Sequence, residues 1–298
     1  MGRKPLTRTL DVHVNGRLAG YYRYRPSAGA SFQYAEDWLG WAYAFPISRR
    51  LPLGLDIRAG DEVDAVFENL LPDGTDLRKK IAERTEARSD RPHDLLAAIG
   101  QDCVGAMQFL PHGATPPDPF RIDGEAQSEA EIADTLRSLS TTPLGIDPGA
   151  PFRISLAGAQ EKTAYLRKDG AWMRPLGSTP TTHIFKRPMG IVGGGLDMSG
   201  SVENEYFCLL LAREMGLPAN QAEIHQFEDQ IALVVERFDR RPRRAGGLVR
   251  VPQEDFLQAM GRFSAEKYQQ HGGPSMAECF ALLQQSDTPI DDQAAFLK

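Results

Sequence analysis

Ser155-Leu156-Ala157-Gly158-Ala159-Gln160-Glu161-Lys162 sets three small residues between two segments of strand-like composition. Small residues let backbone N–H groups approach phosphate oxygens closely, so a strand, turn and returning strand of this kind can fold over a triphosphate. Lys186 ends a later segment, Thr182-His183-Ile184-Phe185-Lys186, where its ammonium can neutralise phosphate charge. An acidic residue on the following helix can hold that lysine. Glu203 and Glu205 both qualify, and spacing does not choose between them. Val235-Glu236-Arg237-Phe238 ends an apolar strand at a polar bend and can offer backbone groups to adenine. Loop, lysine, helix and hinge in this order are the parts of a kinase N-lobe. Taken singly, each has a plainer reading. Ala-Gly-Ala is an ordinary hairpin turn. Lys186 and the Glu-Arg-Phe strand end are ordinary solvated groups. Ser155 is an ordinary polar strand residue. Arg237, Arg240, Arg241, Arg243 and Arg244 form a local basic patch or a solvated loop.

The elements that must position these residues fall into two groups. Leu10, Val12 and Val14 alternate with Asp11 and His13, and Asn15-Gly16 supplies residues that tolerate positive φ, so residues 8–24 predict a hairpin. Phe32-Gln33-Tyr34 predicts a third strand and residues 36–39 a short helical piece. Helices are expected over 61–70 and 76–87, separated by the turn-forming Leu71-Pro72-Asp73-Gly74, and again over 94–99. A strand is expected over 104–110. Residues 111–124 have a loop composition rich in Pro, Gly and Asp. A helix over 129–139 leads to a second Pro/Gly break at 143–151, which is taken as the domain boundary. Beyond it, strands are expected over 152–156, 162–167, 172–175, 182–186 and 231–238. A glycine loop is expected at 193–195. A long helix is expected from a Ser201 cap to Met215, with Val202, Tyr206, Leu209 and Leu210 on one face. Residues 254–260 and 276–284 complete the helical set.

Composition sets outer limits. The chain has 298 residues, room for about two domains. Apolar residues make up 41% and charged residues 25%, which is ordinary globular usage and argues against wholesale disorder. No apolar run reaches the length of a membrane span, and the basic start Gly2-Arg3-Lys4-Pro5 is not followed by the apolar stretch of a secretory signal. Cys103, Cys208 and Cys279 lack metal-ligand spacing and read as thiols of a reducing cytoplasm; no metal site is expected. A net charge of −6 disfavours direct nucleic-acid binding by the whole chain.

The run from Phe152 to Thr163 resembles the nucleotide-loop signature of the HipA-like serine/threonine kinase toxins. Further similar stretches follow in order: Thr179 to Ile184, Asn204-Glu205-Tyr206, Val235 to Arg240, and Pro252-Gln253-Glu254-Asp255. Earlier come Asn69-Leu70-Leu71-Pro72-Asp73, Asp94-Leu95-Leu96, Gly100 and Val104-Gly105-Ala106, so the resemblance spans nearly the whole chain. It implies that Ala157, Gly158, Ala159, Gln160, Glu161 and Lys162 form an ATP phosphate loop. It implies that Lys186 contacts the phosphates and that Glu236, Arg237 and Phe238 bind adenine. Ser155 matches the family's inhibitory autophosphorylation serine. The implied cofactors are ATP and Mg²⁺. The implied partners are a HipB-like helix-turn-helix antitoxin, DNA only through that antitoxin, and a protein substrate such as glutamyl-tRNA synthetase.

One departure counts against a working kinase. The family's catalytic loop, His-x-Lys-Asn-x-Ser with its preceding aspartate, and its later Mg²⁺-binding aspartate have no match in these 298 residues. The expectation is therefore a chain truncated before the catalytic loop, inactive alone, with no catalytic residue of its own. The alternatives are a non-catalytic kinase-like binding module and one half of a split kinase. The expected fold is α+β: a mixed α/β subdomain over 1–145, then a kinase-like antiparallel N-lobe and an incomplete helical C-lobe over 146–298. Apolar faces around 201–215 and 276–284 are expected to lie open.

Overall fold

The computed structural model describes residues 7–145, 154–158 and 160–298. The first subdomain is built on a five-stranded antiparallel sheet. In chain order come β1 (Arg8–Val14), β2 (Arg17–Arg25), β3 (Gly29–Tyr34), α1 (Glu36–Leu39), β4 (Arg58–Ala59), α2 (Asp61–Glu68), α3 (Thr75–Arg84), α4 (Pro92–Ile99) and β5 (Met107–Pro111). The strand order is β4-β3-β2-β1-β5. Asn15 and Gly16 take φ of 47° and 82°, the two positive values that a tight hairpin needs. The expected hairpin, third strand and helices all form, with ends shifted by a few residues. Val12, Tyr22, Phe32, Phe67, Leu95 and Phe109 are fully buried where this sheet meets its helices.

The second sheet is six-stranded and antiparallel, in the order β12-β13-β9-β7-β8-β6. Its members are β6 (Gly124–Ala126), β7 (Lys162–Lys168), β8 (Ala171–Pro175) and β9 (His183–Lys186), then, after the hairpin β10 (Gly190–Val192) and β11 (Leu196–Met198), β12 (Ala222–Phe227) and β13 (Gln230–Glu236). Helix α5 (Glu129–Ser138) covers one face through Ile132, Ala133 and Leu136 against Tyr165, Phe185 and Val234. It begins with a full capping box, Ser128 and Glu131 exchanging side-chain and backbone bonds. Helix α6 (Ser201–Glu214) lies on the other face, where Val202 meets Leu233 and Val235. A small ribbon, β14 (Arg240–Pro242) with β15 (Leu248–Arg250), follows the second sheet. Helices α7 (Phe256–Met260), α8 (Met276–Leu283) and α9 (Pro289–Leu297) close the chain. Gln258 Nε2 donates to the Val66 carbonyl at 2.8 Å, so α7 packs back onto α2 of the first subdomain.

The expectations and the structure differ at several points. Residues 154–156 form no strand; Phe152 and Arg153, at the start of the expected one, lie outside the described residues. Ile154 and Leu156 instead plug into the first subdomain's core, which consumes the side chains that a strand would have laid on the second sheet. Ser201 is not the cap of α6. Gly200 holds that position, and the Ser201 hydroxyl accepts from the Met189 N–H at 3.0 Å. The glycines 193–195 form a tight turn joining β10 and β11. The arginine run is not one exposed patch: Arg237 and Arg240 are buried, while Arg241 and Arg244 are exposed. The boundary expected near 145 falls beside residues 146–153, outside the described residues, and β6 and α5 ahead of it already belong to the second sheet.

Among the described residues no helix is long and apolar enough to cross a membrane. Helix α6 leaves Phe207, Leu211 and Met215 open, and Met276 of α8 is open as well.

Candidate functional site

The small-residue turn stands where the two subdomains meet. Its root is fixed in the first core by Ile154 and Leu156, and Ser155 between them is wholly buried. The Ser155 N–H donates to the Asp102 carbonyl at 3.0 Å, and its hydroxyl donates to the Leu70 carbonyl at 2.6 Å. Gly158 turns at φ 100°, and a Cβ there would sit 3.0 Å from Lys162 Nζ. Only glycine takes this backbone without strain, and only glycine leaves the lysine its room. Ala159 lies outside the described residues.

Lys162 starts β7 and Lys186 ends β9, and the strand register sets them directly opposite each other. Their side chains therefore share one face of the sheet. Lys162 is buried, and its Nζ donates to the Ala157 carbonyl at 3.1 Å, tying the amine beneath the turn. Burial, then the charge of Lys186, pushes the Lys162 ammonium down to about 8. Lys186 is half-buried, and its Nζ meets Glu205 Oε1 at 2.6 Å. The structure thus selects Glu205; Glu203 is exposed on α6. Glu205 pairs with Lys186 and Asp73 with Lys267, so the Lys162 ammonium is left as surplus positive charge beside a backbone turn, which is what an anionic ligand requires.

The other loop residues serve the frame. Gln160 Nε2 donates to the Arg187 carbonyl at 3.0 Å, and Glu161 pairs with Arg187 at 3.4 Å. Gly158, Gln160, Glu161 and Lys162 line a cavity together with Leu77 and Pro143. Glu236 lines a different cavity, with Arg167, His183 and Tyr206. Phe238 is exposed. Arg237 is turned away from both cavities. Its backbone N–H donates to the Thr182 carbonyl at 2.9 Å, and its guanidinium is buried in an ion cluster.

That cluster is the feature the sequence did not announce. Asp102, from the turn between α4 and β5, accepts from Arg240 at 2.8 Å, from Arg250 at 2.9 Å and from the Thr181 N–H and hydroxyl at 3.0 and 2.8 Å. Asp239 accepts from Arg237 and Arg240, each at 2.8 Å, and from the Gly105 N–H at 2.7 Å. The carbonyls of Cys103, Gly105 and Ser178 take further guanidinium bonds. Burial alone would raise the Asp102 carboxyl, but Arg240, Arg250 and Arg237 outweigh it and hold it well below the usual carboxylate range. Burial, with Arg237 beside it, pushes Arg240 down to about 10. No spacing links Asp102 to positions 237–250. The one available signal was Arg237-Phe238-Asp239-Arg240, where acid and base alternate within a bend.

A triphosphate fits the lysine pair and the turn. Among the described residues no group of three or more His, Cys, Asp or Glu is placed to hold a metal ion.

Comparison with known proteins finds two family matches along the chain. Residues 10–110 match the HipA N-terminal domain and residues 154–298 the HipA-like C-terminal domain. The chain is 33% identical to the protein Y4mE of Sinorhizobium fredii over 289 residues, 96% of this chain and 67% of that one. It is 28% identical to the serine/threonine-protein kinase toxin HipA of Shewanella oneidensis over 271 residues, 90% of this chain and 58% of that one. A chain in the solved complex of Shewanella oneidensis HipA, HipB and operator DNA superimposes with a TM-score of 0.78 at 26% identity. That match covers 97% of this chain and 67% of that one. The chain therefore spans about three-fifths to two-thirds of the length of these relatives.

Proposed function

The chain belongs to the HipA-like kinase family, and from that premise we propose that its 298 residues carry the ATP-binding part of a serine/threonine kinase toxin. The observation that carries this reading is the Lys186–Glu205 ion pair facing Lys162 beneath the Gly158 turn. A lysine from a central strand, held by a helix glutamate, positions the phosphates of a bound nucleotide, while N–H groups of the small-residue turn approach them from above. In this reading Ala157 to Lys162 form the phosphate loop, Lys186 contacts phosphate, and the 236–238 backbone faces adenine. When bound, ATP would supply the transferable phosphoryl group and Mg²⁺ would offset its phosphate charge. In this reading the chain divides into residues 1–145 and 146–298, with β6 and α5 joining the second sheet from ahead of that boundary.

Ser155 takes the role of regulatory phosphorylation site. Its burial and its bond to Leu70 mean that a phosphate there cannot stay in place: two negative charges in the first core carry a large desolvation cost. The phosphorylated segment must leave its seat and draw the loop away from the lysines.

The nearest fitting partner is a HipB-like helix-turn-helix antitoxin, because the structural neighbour is seen with HipB and operator DNA. DNA association then runs through the antitoxin, in line with the net charge of −6. A translation protein such as glutamyl-tRNA synthetase is the substrate class, and the cytoplasm is the compartment. These 298 residues hold no His-x-Lys-Asn-x-Ser segment, so we expect nucleotide binding without phosphoryl transfer by this chain alone.

Calorimetry with Mg²⁺-ATP and a γ-phosphate transfer assay on the same sample test this. Binding without transfer is the expected result. Transfer by the isolated chain would overturn the claim of inactivity. Absence of binding would leave the runner-up, a kinase-like docking module. Recovery of transfer on adding a separately encoded segment with the catalytic motif would identify a split kinase.

A further inference from the structure

We propose that Asp102, which belongs to the first subdomain, is the positioning residue of the nucleotide site, so that this subdomain is a working part of that site. The inference rests on the nucleotide reading above and goes beyond it.

Three parts of the candidate site converge on this one residue. The root of the small-residue turn bonds to the Asp102 carbonyl through the Ser155 N–H. The segment entering β9, the strand that carries Lys186, bonds to the carboxylate through both the N–H and the hydroxyl of Thr181. The hinge after β13 is drawn to the same carboxylate by Arg240, and Arg237 bridges to it through Thr181 Oγ1 at 2.9 Å. Arg250 ties in the ribbon that follows. Every one of these side chains is buried. A carboxylate that accepts this many bonds in a dry interior has one geometry, and it imposes that geometry on the strand entry and the hinge together. The phosphate end is held differently, by Lys186 with Glu205 and by Lys162 with Ala157. Asp102→Asn keeps the backbone carbonyl that holds Ser155, and the Lys186 end of β9 stays set by its register against β7 and β13, so loss of the carboxylate falls on the hinge end and loss of a lysine on the phosphate end.

This separation gives the test a readout that general destabilisation does not produce. AMP probes the hinge end and inorganic tripolyphosphate probes the lysine end. Each is titrated into the full chain and into Asp102→Asn, Thr181→Val and Lys186→Ala, with circular dichroism confirming folding. Thr181→Val removes two bonds of the cluster and no charge, so it carries the test if Asp102→Asn does not fold. The expected result is AMP binding about tenfold or more weaker in the Asp102 and Thr181 variants, with tripolyphosphate binding unchanged, and the reverse pattern for Lys186→Ala. Unchanged AMP affinity in a folded Asp102→Asn or Thr181→Val overturns the inference while leaving the nucleotide reading intact. Equal loss of both ligands overturns it too, since it would mean loosening of the whole fold. If the unaltered chain binds neither AMP nor ATP and Lys186→Ala changes nothing, the nucleotide reading itself fails and the inference falls with it.

Discussion

The molecule carries two charge clusters, and they are built on opposite rules. Around Asp102 and Asp239 three arginines are buried, and backbone carbonyls take further guanidinium bonds, leaving only Arg240 Nε and Arg250 Nη1 of the cluster's described guanidinium nitrogens without a partner. Around Lys162 and Lys186 the direct ion pair is Lys186 with Glu205, one amine is partly accessible, and the surplus charge faces a glycine turn. A dry cluster with its charges paired fixes geometry; a part-open cluster with charge in excess can take a ligand. Both are rich in basic residues, and composition gives no means of separating them. What separates them is how many acceptors the fold delivers to each.

The largest expected effect comes from breaking the dry cluster. Arg240→Ala leaves Asp102 and Asp239 short of a buried partner and should cost about 3–5 kcal/mol in denaturant unfolding. A loss below about 1 kcal/mol would mean that water reaches this joint and that the contrast between the clusters is wrong. Lys186→Ala comes next. It removes a charged donor from the open cluster and should weaken ATP about 10- to 100-fold while leaving unfolding stability nearly unchanged. A large stability loss instead would place Lys186 with the structural charges.

Lys162 sharpens the comparison through pH. Its folded value of about 8 lies below its ordinary 10.5, so between these limits the unfolded chain binds more protons than the folded one. Stability from this group therefore rises with pH from about 8 to 10.5, and its burial penalty is fully present below 8. A bound triphosphate favours the charged amine, so ATP binding near pH 8 should take up a fraction of a proton, and almost none near pH 6.5. Calorimetry in buffers of differing ionisation enthalpy measures this; uptake that does not change over that range would count against Lys162 as a phosphate neighbour. The smallest effect is expected at α6: Glu205→Gln should weaken ATP binding by a few-fold, and the exposed Glu203→Gln should leave it unchanged. Equal effects of the two would remove Glu205 from its assigned place.

Much of the candidate site was legible because its signals are local. The Ala157-Gly158 turn needs small residues for steric reasons, Lys162 and Lys186 sit at strand ends where alternation predicts strands, and Asn15-Gly16 closes its hairpin by backbone preference alone. The choice between Glu203 and Glu205 was not legible, because a helix presents both near its first turns and only its docking angle on β13 decides which one meets Lys186. Residues 154–156 look like a strand, but their apolar side chains are claimed by the neighbouring core, and tertiary packing overrides local propensity.

Arg237 and Arg240 show most clearly where sequence stops. By itself the sequence determined many of the secondary elements, the order of loop, lysine, helix and hinge, and the resemblance to the HipA-like family, because each depends on residues close together in the chain. Only the tertiary structure decided that these two arginines are interior residues. Their partner Asp102 is more than a hundred positions away, and burial of a guanidinium becomes tolerable only once the fold has brought carboxylates and carbonyls around it.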